Sequence, residues 1–554
     1  MRTALLVIAC VSTCFGQGPA NPKHSELKKT SAATCDTTTV PPPDSNFPKG
    51  FDYPQQVQSW VQTGNGERMR LHGWCLFAGL NTASKPNGPL HWQTWKTSTQ
   101  AFPYQYNPWK GVGGAAVSKR LTGLNARRLA DAKVGGANAI NNPAPMYPIN
   151  AAVAKKYPGC RVSMGLKDHP DWYQLKDGVH MQSNGDIMVA GVIYNDAAIK
   201  NILGTNLYNA VKLNSLLPPN KTSPPNAIPE LPSSSIALKP MFWPVQKGGF
   251  TALPVWDWDD HKPGSPADGK YAGYEIQPLW SHAVAITDLP NPKVPPIIRY
   301  LYGVYDSDGK NLIGPVAYNN TTQISPPAFQ VVSVNDFYHR QLNAAELSQL
   351  STCDRALLDA SAYWAYNRAF QPGDYIVLVA MHIMTKEQQD WTFQSLWYHP
   401  DADKSETCRY CQSRPTNLTD KTFRHYLLTT TYGTVQQSPQ SHSNYYSPPN
   451  TKPGAAIWPV AYNPYIELAA SHPITTNCMN CHHRAAWPPF IPGRPDEGRM
   501  SSYLQESPPN PNPLEVFQEN NSIFNGLVTL DSMWGVSDRG GYPPSSTKST
   551  TKKK

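Results

Sequence analysis

Five consecutive residues carry the clearest chemical signal in this sequence: Cys478-Met-Asn-Cys481-His482. C-x-x-C-H is the spacing of c-type haem attachment. Two thiols three positions apart can each form a thioether with a vinyl group of one porphyrin. The adjacent histidine is then held against the iron as its proximal ligand. The motif occurs once, in a segment rich in aromatic residues and proline, which implies one covalent haem c. The plainer alternative is a disulfide between Cys478 and Cys481. Zinc is a third use of paired cysteines, with Cys408-Arg-Tyr-Cys411 as the second pair. The 66 residues between Cys411 and Cys478 far exceed the about 15–20 of ribbon-type sites. With no histidine after Cys411, the first pair reads as a small disulfide loop.

The sixth ligand decides what a bound haem does. A methionine sulfur raises the potential and suits electron transfer, whereas an open face suits chemistry on a small molecule. Met533, in Asp531-Ser-Met-Trp-Gly535, leaves enough chain to wrap the ring and is the expected distal ligand. Met500, His382 and His399 are the alternatives. His483 adjoins the proximal ligand and cannot easily reach the opposite face.

Weaker clusters lie elsewhere. Asp257-Trp-Asp259-Asp260-His261 offers carboxylate oxygens, and Asp306-Ser-Asp308-Gly309 resembles the start of a calcium loop without its downstream glutamate. Both read as turns. No Gly-x-Ser-x-Gly, P-loop or Gly-x-Gly-x-x-Gly is present.

On the pentapeptide, and on the block Tyr375–His399 that precedes it, the sequence resembles the large exported monohaem c-type cytochromes of bacteria. The resemblance implies haem attachment in the periplasm and electron transfer. It does not extend to the long region before Tyr375.

Around the motif stand 554 residues with 55 prolines and 37 glycines. Proline at that density excludes long helical bundles, and 11% aromatics with only 16% charged residues exclude a disordered chain. The formal charge of +9 sits largely at the ends, on Arg2, Lys23, Lys28 and Lys29 and on Lys548, Lys552, Lys553 and Lys554. The body is nearly neutral, which argues against nucleic acid as a partner.

Residues 1–16 have the layout of a signal peptide: Arg2, an apolar run, then small residues. No other stretch is apolar for the length of a bilayer. The mature chain is therefore expected outside the cytoplasm, periplasmic or secreted, with a lipid anchor as the minority option. An exported chain can form disulfides, so Cys35, Cys75, Cys160, Cys353, Cys408 and Cys411 are candidates.

The expected fold class is α+β: a large β-rich, loop-rich body followed by a helical, cytochrome c-like haem segment. Its divisions are a flexible leader (17–50), an N-terminal subdomain (51–215), a Pro-rich linker or surface excursion (216–235), a β-rich subdomain (236–434), a Pro/Ser-rich stretch (435–457), the haem segment (458–540) and a basic tail (541–554). Strands are predicted at Ile236–Trp243, Leu253–Trp258, Ala283–Ile286 and Tyr375–Met384. Helices are predicted at Val117–Val134, Asn335–Leu350 and Arg355–Phe370. Three functions are compatible with these features. The first is an electron carrier docking a redox partner. The second is a haem enzyme acting on a small molecule. The third is an exported carbohydrate- or envelope-binding protein using its 16 tryptophans.

Overall fold

The structure is a computed structural model. It describes residues 34–35, 47, 51, 57–63, 65–86, 88–104, 151–158, 189–255, 282–292, 301–302, 316–317, 330–350, 352–404, 408–432, 461, 463–466, 478–488 and 520–543. The signal peptide, the predicted helix Val117–Val134, the clusters at Asp257 and Asp306, the stretch 435–457 and Met500 lie outside the described residues.

The elements used below are strands β1 (Ile193–Tyr194), β2 (Asn226–Ala227), β3 (Ile236–Val245), β4 (Phe250–Val255), β5 (His282–Thr287), β6 (Gln330–Ser333), β7 (Tyr375–Thr385), β8 (Thr392–Tyr398), β9 (Tyr426–Tyr432), β10 (Ala486–Trp487) and β11 (Val528–Thr529), with helices α1 (Gly66–Leu80), α2 (Thr352–Tyr366), α3 (Cys478–His483) and α4 (Trp534–Arg539). Helices and mainly antiparallel sheets together make the described fold α+β.

The central sheet runs Lys96–Thr97, β1, β3, β7, β8, β9 in space, every pairing antiparallel. β7 and β8 are buried along almost their whole length, so their sequences are apolar runs rather than alternations. Proline cannot donate to a ladder, and β3 carries Pro240 in its interior. Its outer partner is interrupted there: Val189–Ala190 pairs with Phe242 and Met241, and β1 resumes opposite Leu238 and Ala237. β4, β5 and β6 form a second sheet. Trp243 Nε1 donates to the Ala252 carbonyl at 3.0 Å, joining β3 to β4.

Alternate residues of a strand face opposite sides. Gln394, Thr430 and Leu428 meet α1, which approaches so closely that a Cβ on Gly73 would lie 3.0 Å from the Gln394 side chain. His382, Ser395 and Lys239 occupy the other face, paired across β7, β8 and β3. The motif packs on that second face.

Three expectations change. The leader is tied down at two points: Cys35 forms a disulfide with Cys75 in α1, and Phe47 is buried in the main core. Residues 216–235 pack rather than merely link, because Ile228 and Leu231 are buried and β2 pairs with β11. The helix predicted over 335–350 is present only as Ala344–Gln349. Phe337 enters the core and His339–Gln341 adds a strand to β7. The helix starts where Asn343 and Glu346 form a reciprocal cap.

Candidate haem-attachment site

Helix α3 is six residues long, too short to persist by its own propensity. A tertiary bond holds its start and a local turn closes its end. Cys478 N donates to the Ala461 carbonyl at 2.8 Å, and Ala485 N to the His482 carbonyl at 3.0 Å. One helical turn puts positions i, i+3 and i+4 on one face, so Cys478, Cys481 and His482 share a face. Cys478 is buried. The side chain of Cys481 lies outside the described residues.

After α3 the chain enters β10, which pairs antiparallel with β11. Leu530 N donates to the Ala485 carbonyl at 3.1 Å, and the chain then turns through Asp531 and Ser532. This return brings the Ser532 carbonyl to His482, whose Nδ1 donates to it at 2.8 Å. A carbonyl only accepts, so Nδ1 carries the proton and the neutral ring presents an aprotic Nε2. Burial pushes the His482 pKa down to about 4, against the opposing Ser532 bond and with help from Lys239 and His483. The imidazole is therefore neutral at physiological pH.

The turn is unusual backbone. Asp531 and Ser532 have φ of 45° and 63°, left-handed values that non-glycine residues rarely adopt. The Asp531 carboxylate holds it, accepting from Lys386 Nζ at 2.6 Å, Trp391 Nε1 at 3.0 Å and Leu231 N at 2.8 Å. Burial raises the Asp531 pKa, and Lys386 opposes that rise.

Against the His482 ring lie Phe393, at a centroid distance of 5.1 Å, and His382, at 5.4 Å with planes 24° apart. Cys478, Met479, Met533, Trp391, Phe393 and Met384 belong to one buried apolar cluster. Met533 is thus near the motif, directly after the residue that holds His482 Nδ1. His399 is elsewhere: four residues beyond Ser395 on β8, about 13 Å by strand rise, its Nδ1 accepting from Asp401 N at 3.1 Å. His483 lines a polar cleft of about 290 Å³ with Glu230, Gln389, Asp390, Asn520, Asp531 and Ser532. Cys411 is disulfide-bonded.

The residues present fit a c-type haem in their donor chemistry. A thiol-bearing helix face, a neutral imidazole with one nitrogen held by a carbonyl, and apolar neighbours are what such attachment needs. The sequence did not single out the Asp531–Ser532 turn, Phe393 or Lys386. The first adjoins Met533, the expected distal ligand, and so lies within a motif the sequence marks. Among the described residues no helix is long and apolar enough to cross a membrane, and no group of three or more His, Cys, Asp or Glu could hold a metal ion by itself. Comparison of the chain with protein-family models, with curated proteins and with solved structures gives no match.

Proposed function

We propose that this chain is an exported monohaem c-type cytochrome acting in electron transfer. Cys478 and Cys481 would hold the haem by thioethers, and His482 would hold its iron. The observation that carries the reading is the 2.8 Å bond from His482 Nδ1 to the Ser532 carbonyl. Metal-ligating histidines regularly donate their other ring nitrogen in this way, which fixes tautomer and orientation.

A bound haem supplies one-electron exchange at its iron. The chain's own residues orient and shield. Ser532 fixes the His482 ring, Phe393 packs against it, and the apolar cluster around Cys478 keeps water away. Export through residues 1–16, and a redox partner protein, belong to the same proposal.

A haem enzyme acting on a small molecule is the second reading, supported by the polar cleft. The carrier is preferred because that cleft borders His483, while the His482 ring is packed on Phe393 and His382. Binding of carbohydrate through tryptophan platforms has less support, since Trp74, Trp243, Trp391 and Trp397 are fully buried.

The test is attachment. Expressed with a cytochrome c maturation system, the denatured wild type keeps haem through acid–acetone extraction, and Cys478→Ser with Cys481→Ser loses it. His482→Ala disturbs the spectrum far more than His483→Ala. Haem that extracts freely from the wild type overturns the reading.

A further inference from the structure

The geometry points to His382, not Met533, as the second axial ligand of the iron, which makes the centre a bis-imidazole haem. This rests on the haem reading above.

His382 stands inside β7 on the face that receives the motif. It is 5% exposed, and its Nε2 is buried without a hydrogen-bond partner among the described residues. Its Nδ1 meets Ser395 Oγ at 3.5 Å, the outer limit of a hydrogen bond. Leaving a buried polar atom unpaired costs about 1–3 kcal/mol. An apolar residue would fill this strand position without that cost. A metal ligand is the role in which an otherwise unpaired imidazole nitrogen becomes satisfied. The neighbouring ring, 5.4 Å away, is His482 itself.

Met533 is placed differently. Nδ1 and Nε2 lie on different edges of an imidazole, and Ser532 occupies the Nδ1 edge of His482. The main chain of Met533 follows directly from Ser532, whose carbonyl sits on the Nδ1 edge of the ring. Its thioether requires no hydrogen bond, and it packs in the apolar cluster with Cys478 and Val536. That is sufficient employment for a core methionine.

The experiment uses the full chain matured with haem, and reads coordination rather than activity. Low-temperature electron paramagnetic resonance of the ferric wild type should give a bis-imidazole signal. The red charge-transfer band of methionine–iron ligation should be absent. His382→Gly should lose the six-coordinate low-spin spectrum, gain rapid carbon monoxide binding, and recover the original spectrum when imidazole is added. His382→Met should stay six-coordinate with a raised potential, and Met533→Leu should leave the spectrum unchanged. A methionine band in the wild type, or an open iron in Met533→Leu, overturns the assignment. So does an unaltered spectrum in His382→Gly. If the histidine variants fail to fold, the wild-type resonance signal decides alone. Covalent haem in the denatured wild type keeps the haem reading standing whichever ligand is found; its absence removes both.

Discussion

Lys386 and Asp531 stand 145 positions apart in the chain, yet their charged groups meet at 2.6 Å with both side chains almost fully buried. The pair joins the tip of the β7–β8 hairpin to the turn that delivers the Ser532 carbonyl to His482. Removing one member of a buried pair costs about 3–5 kcal/mol, and Lys386 would then keep Glu230 at 3.6 Å and the Gln389 carbonyl. Asp531→Ala should therefore lower unfolding free energy by that order in a urea titration, with Asp531→Asn milder because the amide still accepts from Trp391. An Asp531→Ala protein as stable as the wild type would show that the pair contributes nothing net.

Ser532 tests the same turn from its backbone. At φ of 63° a Cβ is a burden, and such strain costs on the order of 1–3 kcal/mol. Ser532→Gly should leave stability unchanged or improve it by about 1 kcal/mol, while keeping the carbonyl that His482 uses. Ser532→Val, β-branched, should be clearly destabilised. Thermal melts of the two variants check this, and equal melting temperatures would remove strain from the explanation.

Gly535 lies in the first turn of α4, against Tyr194. A Cβ there would fall 2.0 Å from Tyr194 Oη and 3.3 Å from its ring carbon Cζ. Gly535→Ala should cost about 1–3 kcal/mol, as overpacking does. Adding Tyr194→Phe removes the clashing oxygen and should recover part of the loss. A double-mutant cycle measures the coupling, and strict additivity would show that the contact is not the cause.

Asp374 supplies the pH dependence. Burial alone would raise its pKa, but it accepts from Arg368 at 2.6 and 2.8 Å and from the backbone of Lys247 and Gln371. The net result lies below the ordinary carboxylate value. A depressed folded pKa stabilises the protein above the unfolded value of about 3.9, and that stability is lost as pH falls through the folded value. The stability difference between wild type and Asp374→Asn should thus be constant near neutrality and shrink below about pH 4. A difference that grows on acidification contradicts the assignment.

Cys35–Cys75 closes a loop across 40 positions, and loops of that size lend about 3–4 kcal/mol by restricting the unfolded chain. Cys35→Ala with Cys75→Ala should lower the denaturation midpoint accordingly. An unchanged midpoint would mean that Phe47 and its neighbours hold the leader unaided.

What could be read in advance follows from range. Tyr375–Thr385 declares itself because a buried strand is a continuous apolar run, and the pentapeptide Cys478–His482 stands out because the attachment proposed for it depends on local spacing. Lys386 and Asp531 are partners only in space, and nothing in either local sequence marks them, while His382 is one of several candidates in the sequence and only the fold sets it beside His482. The prolines of 216–235 suggested a linker or an excursion. The decisive facts there, Leu231 bonding to Asp531 and β2 pairing with β11, also depend on distant chain. At 335–350 the signal was present and overrun: Asn343 and Glu346 mark the true start of the helix.

The contact between Leu231 N and Asp531 spans 300 positions, and it has a bearing on the order of events during biogenesis. Contacts so remote in sequence form late and slowly, since residues 528–531 must be made and delivered before β2 finds its neighbour. Cys478 shares its buried cluster with Ile228 and Leu231 of the segment 216–235. That segment therefore takes its place only after the C-terminal return exists, and the cluster that holds Ile228, Leu231 and Cys478 cannot be completed before it.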